Sequence, residues 1–180
     1  MYEHKQEPSN KYIKFFAMIG TSMLLMYGLM YLNSYQILGH ARFSETRLFM
    51  TLIMGGSMMI VMMAYMFGMY RKKGVNIAIF IAAILLILSS IWLVRSQVTV
   101  SGVDYMEAMI PHHSIAILTS ERSNIQDPRV RELADEIIEA QHREIKEMEW
   151  LISDIRKNGI AVSEEEAEDR PVPSFSGKKE

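Results

Sequence analysis

The chain has 180 residues, of which 49% are hydrophobic and 22% charged, with a mean hydropathy of +0.07. That average joins two unlike regions: no Asp, Glu, Lys or Arg occurs from Leu48 to Tyr70 or from Gly74 to Val94, whereas the chain after Asp104 is densely charged. A wholly soluble globule is excluded, and a formal charge of -2 argues against a nucleic-acid binder, which needs a basic face. The lack of cysteine removes disulfides, thiolate zinc sites, iron–sulfur clusters and a cysteine nucleophile. Soft-metal chemistry must then come from methionine and histidine. Methionine is abundant: twelve of the 16, from Met18 to Met69, lie in apolar sequence before Tyr70.

Residues 12–32, 48–69 and 75–94 are apolar runs that each meet the requirement of about 20 residues for a bilayer-crossing helix. The first is long for a signal peptide and lacks a small-x-small cleavage site, so it reads as a retained anchor. Lys5, Lys11, Lys14, Arg71, Lys72 and Lys73 fall on one side of the membrane, and Arg42, Arg47 and Arg95 on the other. Basic residues resist translocation. The asymmetry predicts a multi-pass membrane protein, its N-terminus cytoplasmic and everything beyond Arg95 outside the cytoplasm. The runs hold no deep acidic or basic residue of the kind that couples ions, which argues against a pump or secondary transporter.

Beyond a short linker, two helices are legible. Asp104 with Glu107 has the spacing of a capping box and opens a helix to about Asn124. Asp127-Pro128 is an N-cap acceptor followed by proline at the first helical position, and Asn158-Gly159 supplies the stop after about Lys157. From Ser163 the chain is acidic and proline-punctuated, which predicts disorder. The division is then a membrane domain over 1–97, a helical hairpin over 98–162 and a disordered tail over 163–180. The fold class is all-α: three transmembrane helices followed by an αα-hairpin.

The second hairpin helix carries one apolar stripe: Val130, Ala134, Ile137, Ile138, Ile145, Met148, Ile152 and Ile155. Gln141 projects from its middle, with Glu144 near one edge and His142 near the other. On the first helix Met106, Met109 and His113 share a face, His112 follows Met109 by three, and Pro111 interrupts the helix just before the histidine pair. An antiparallel hairpin brings these two faces together. Thioether and imidazole without thiolate suit copper, Cu(I) favouring Met and Cu(II) favouring His and oxygen. The candidate metal residues are therefore Met109, His112, His113, Gln141, Glu144 and Met148, with Met106 and His142 beside them. Taken singly, each is equally well a core filler or a hydrogen-bonded core residue.

The segments Asp104-Tyr105-Met106-Glu107-Ala108-Met109-Ile110-Pro111-His112-His113 and Ala140-Gln141-His142-Arg143-Glu144-Ile145-Lys146-Glu147-Met148 resemble the bacterial family catalogued as domain of unknown function 305. The likeness runs from about Asp104 to Ile155. It implies a ferritin-like helical domain outside the cytoplasm, associated in several members with copper, and points to Met109, His112, His113, Gln141, Glu144 and Met148. His142 is less typical of that pattern.

Met50, Met54, Met58, Met62 and Met66 recur every four residues, with Met59 and Met63 beside them. Such a ridge reads either as a relay of thioether sites for Cu(I) or as flexible packing next to Gly55, Gly56 and Ser57. Packing is preferred, because a membrane helix needs apolar residues in any case. His40, in the loop between the first two runs, reads as a solvated residue.

Three functions compete. The leading one is a membrane-anchored protein that sequesters or hands over copper outside the cytoplasm, with no enzymatic step. Its partners would be the lipid bilayer, other copper-handling proteins and further copies of itself, since two helices alone make a small core and a dimer of hairpins would complete a four-helix bundle. The second is a ferritin-like metal-oxidising enzyme, disfavoured because a carboxylate-bridged site needs several inward-facing Glu residues and only Glu144 lies within the apolar face. The third is an assembly module without metal.

Overall fold

The computed structural model describes residues 8–32, 34–36 and 39–178; Lys5 lies outside them. The described residues contain helices and no strand: α1 (Pro8–Leu29), α2 (Glu45–Tyr65), a single 3₁₀ turn (Phe67–Met69), α3 (Lys73–Ser96), α4 (Gly102–Arg122), α5 (Pro128–Asn158) and α6 (Glu164–Glu168). The chain divides into two compact units.

The first unit joins the segments before Met30 and from Thr46 to Thr99, and so holds α1, α2 and α3. Three stretches, Lys11–Leu29, Glu45–Tyr65 and Lys73–Ser96, are long and apolar enough to cross a membrane. They fit association with a lipid bilayer. Their core consists of Phe15, Ile19, Met59, Met63, Tyr70, Ile79 and Ala83. Gly55 and Gly56 are buried, and neither site has room for a side chain: one at Gly55 would collide with the Met23 thioether, and one at Gly56 with Ile87 and the Ala83 carbonyl. Asn76 is fully buried yet satisfied, since Tyr12 Oη donates to its Oδ1 at 2.8 Å and its Nδ2 donates to the Tyr70 carbonyl at 3.0 Å. An amide buried among apolar helices is tolerated only with such partners.

The second unit contains α4, α5 and α6, together with the segment Tyr31–Glu45 that separates α1 from α2 in sequence. The loop assigned from sequence to the membrane domain thus packs with the hairpin. α4 starts three residues earlier than the Asp104 cap predicts. Ser101 is its N-cap, accepting from Asp104 N–H while the Asp104 carboxylate accepts from Ser101 N–H, so Asp104 is the last residue of the box and not its first. Pro111 sits inside α4, which continues through it to Arg122. α5 matches its predicted ends: Asp127 caps it by accepting from Arg129 N–H, and Gly159 closes it at φ 84°, a conformation only glycine takes without strain.

α4 and α5 bury Met106, Ile110, Ile117, Ile145, Met148 and Ile152 between them. The apolar stripe of α5 is only partly covered: Val130 and Ile137, both assigned to the core from periodicity, are exposed together with Leu133. One partner helix shields one face and no more. In place of the expected disorder, the acidic tail carries α6, and Arg170 binds Asp154 at 2.9 Å and the Gly159 carbonyl at 3.2 Å. Lys146 Nζ donates to the Ser176 carbonyl at 3.4 Å. The tail's basic residue and backbone supply contacts that a composition-based estimate cannot register.

Candidate functional site

The middle of the hairpin collects most of the chemistry singled out by the sequence. α4 contributes Met106, buried in the hairpin core, and Met109, which packs against that core. α5 contributes Met148, also buried there. His113 follows Met109 by four residues, and its Nδ1 lies 3.4 Å from Glu144 Oε2. Glu144 Oε2 also accepts from Gln141 Nε2 at 3.4 Å. Facing stripes thus put Met109 and Met148 in one core and set His113 beside Glu144, one helical turn beyond Met109.

His113 is the most constrained of these groups. Its side chain is 14% exposed, its Nδ1 is buried, and the Glu144 contact lacks hydrogen-bond geometry. A buried polar atom left in this state costs roughly 1–3 kcal/mol. Burial lowers the imidazole pKa, with Glu144 opposing and His112 reinforcing the shift. The neutral ring that results is the form that ligates a metal or accepts a proton.

His112 stands apart: it is exposed, its ring 6.4 Å from that of His113. His142 is half-buried and meets the ring of Tyr35 edge-on, with centroids 5.9 Å apart. Among the described residues, no group of three or more His, Asp or Glu side chains is placed to hold a metal ion.

The loop between α1 and α2 supplies residues that sequence reasoning missed. His40 is 7% exposed, not solvated as expected. Its Nδ1 is hydrogen-bonded to Ser114 Oγ at 2.8 Å, and the Tyr35 backbone N–H donates to the same oxygen at 2.7 Å. Arg42 meets Glu149 at 3.6 Å, and Tyr31 Oη donates to the Arg42 carbonyl at 2.7 Å. Tyr35 also packs against the core that contains Met106 and Met148. The loop is therefore a strap across the hairpin, fastened on the helical turn next to His113. Burial lowers the His40 pKa; Glu149 opposes this, while His142 and Arg42 add to it. No periodicity marks such a strap, because its contacts are all tertiary.

The family model described as Domain of unknown function (DUF305) matches residues 95–174, which span α4, α5 and α6. An uncharacterized protein, L153, of Acanthamoeba polyphaga mimivirus is 32% identical to this chain over 119 residues, covering 65% of this chain and 76% of that protein. No solved structure matches. With the matched region coinciding with the capped hairpin and its Met-Ile-Pro-His-His turn, the chain belongs to the family described as Domain of unknown function (DUF305).

Proposed function

We propose that this protein is a membrane-anchored copper binder whose hairpin sequesters or hands over the ion outside the cytoplasm. The observation that carries this reading is His113: a neutral, largely buried imidazole with an orphaned nitrogen, four residues beyond Met109, on the hairpin whose core contains Met148. The donor set fits the ion. Met109, Met148 and the His113 ring offer two soft sulfurs and one borderline nitrogen without thiolate, which suits Cu(I); Glu144 adds an oxygen for Cu(II). Met106 is the nearest further thioether of the same core. Glu144 lies beside the imidazole and is itself held by Gln141; once hydrogen-bonded to the ring, an outer partner of this type typically contributes about 10–100-fold to metal affinity. Copper is cargo here, and no catalytic step is assigned.

The basic asymmetry of the sequence supports an inner-membrane protein with a cytoplasmic N-terminus and a periplasmic or extracellular hairpin. The exposed Val130, Leu133 and Ile137 support pairing with a second copy, which would cover the open side of the α5 stripe and complete a four-helix bundle. Other copper-handling proteins are the natural recipients of the ion.

The test is competitive binding of Cu(I) and Cu(II) by the full chain in detergent, for wild type, His113→Ala and Met148→Leu. His113→Ala should lose more than about 10–100-fold in affinity for both ions, whereas Met148→Leu, which keeps volume and deletes sulfur, should weaken Cu(I) selectively. Wild-type affinity in both variants would leave the hairpin as an assembly module.

A further inference from the structure

Where the strap meets the last turns of α5, charge is left over. Arg42 of the strap, with Glu149, Ile152, Ser153, Arg156 and Lys157 of α5, lines a cleft of about 360 Å³. Three of these side chains are cationic and one is acidic. Glu149 offsets the cations only loosely: its carboxylate lies 3.6 Å from Arg42 Nη2, longer than a hydrogen bond, and Arg42 Nε is buried without a partner. Arg156 Nη2 donates to Glu107 Oε1 at 2.7 Å. Lys157 is exposed, and no described residue pairs with its ammonium. With Glu107 counted, the group still carries a net positive charge.

The carbonyl end of α5 accounts for part of this arrangement. Arg156 and Lys157 stand in its last turn, where the macrodipole favours cations. It does not account for Arg42, which arrives from a different element and is held there by the bond from Tyr31 Oη to its carbonyl. A guanidinium fork and a primary ammonium lining one small cleft are a donor set for phosphate oxygens. The surroundings indicate which phosphate. Phe43, next to Arg42, is 58% exposed, and Ile160 and Val162, just past Lys157, are 73% and 84% exposed. Basic side chains interleaved with exposed apolar ones make a surface that seats in a headgroup layer. Chain connectivity agrees: Arg42 is three residues before Glu45, the first residue of α2, so at most about 11 Å of chain separates it from the start of a helix long and apolar enough to cross a bilayer.

We propose that this cleft binds the phosphate of an anionic phospholipid headgroup, with Arg42 and Lys157 holding the phosphate oxygens and Arg156 adding charge. Lipid held there gives the hairpin unit a contact with the bilayer of its own. The cleft shares no residue with the copper site proposed above, and the inference stands or falls apart from that reading.

The experiment follows acetylation of Lys157 by an amine-reactive reagent in the full chain, solubilised in neutral detergent, with phosphatidylglycerol, phosphatidylcholine or inorganic phosphate added at equal phosphate concentration. Phosphatidylglycerol should protect Lys157, and the other two should not. Arg42→Gln should raise the phosphatidylglycerol concentration needed for half-protection about fivefold, the equivalent of about 1 kcal/mol for one basic group at an anionic lipid surface. Glu149→Gln should lower that concentration, because it removes the carboxylate that competes with the phosphate. The opposite signs separate lipid binding from damage to the strap, since a strap that has merely come loose weakens protection in both variants. Weakened protection in both, protection unchanged in both, or no protection of wild type overturns the proposal. Equal protection by phosphatidylcholine overturns the selection for anionic lipid, and equal protection by inorganic phosphate replaces the lipid with a free anion.

Discussion

Ser114→Ala removes one oxygen from the point where the strap is fastened. The Ser114 side chain is fully buried, and its Oγ serves both the Tyr35 N–H at 2.7 Å and His40 Nδ1 at 2.8 Å. The variant deletes both bonds at once, and the small hydroxyl leaves too little room for water to replace it. Each polar group stripped of its partner costs about 1–3 kcal/mol when buried. The Tyr35 amide is only partly buried, so the lower half of that range applies to it. The sum is about 2–5 kcal/mol, against which the better helix propensity of alanine returns roughly 0.5 kcal/mol. At about 1.4 kcal/mol per tenfold, strap docking should weaken by roughly 10- to 1,600-fold. Hydrogen exchange reads this directly: the Tyr35 amide should lose protection by about that factor, and tryptic cleavage at Arg42 should accelerate, while amides in the middle of α5 keep theirs. Unchanged exchange at Tyr35 in Ser114→Ala would show that the strap is not held through this oxygen.

Acidification should loosen the same strap. Burial depresses the His40 pKa in the folded chain, so the unfolded state binds a proton more readily. The contribution of His40 is complete above about pH 6.5 and declines as pH falls from there toward the depressed folded value; tryptic cleavage at Arg42 measured from pH 8 downward, with His40→Gln as the pH-insensitive comparison, checks the sign. Ile110 is fully buried in the hairpin core, so Ile110→Ala should destabilise the hairpin by about 2–5 kcal/mol in thermal unfolding of the detergent-solubilised chain. Asn76→Leu strips the Tyr70 carbonyl of its Asn76 donor and leaves Tyr12 Oη with only the longer bond to the Lys72 carbonyl, and should cost about 1–3 kcal/mol in the membrane unit without changing hydrogen exchange in α5. A reporter fused after Lys157 should be active only in the exported compartment, and protection of that segment from protease in spheroplasts would reverse the orientation.

The elements that could be read from sequence are those with local causes. Three apolar runs without deep charge announce α1, α2 and α3, and Asp127-Pro128 with Asn158-Gly159 marks both ends of α5 to within a residue. The start of α4 was misplaced because Asp104 offers the same acceptor chemistry as a true N-cap; only Ser101, three residues earlier, shows which end of the box it occupies. Glu107, which completes the alternative box on paper, binds Arg156 on α5 at 2.7 Å instead. Periodicity put Met106, Met109 and Met148 on the inner faces of the hairpin and His113 beside Glu144, since facing stripes of an antiparallel hairpin follow from spacing alone. It could not separate His112, which the helix turns outward, nor show that Val130 and Ile137 lack cover. The strap was silent in the sequence: nothing local tells His40 or Tyr35 that Ser114 is their partner. Asn76 was likewise passed over as one polar residue at the start of an apolar run, although its burial is made possible by Tyr12, which is 64 residues away.

Elemental analysis of the full-length protein purified from copper-supplemented cells tests the central claim most directly, with the His113→Ala/Met148→Leu chain purified alongside. The account predicts that wild type carries copper and that the double variant carries less of it by the hairpin-bound ion. Copper-free wild type, or equal copper in the two chains, would contradict it.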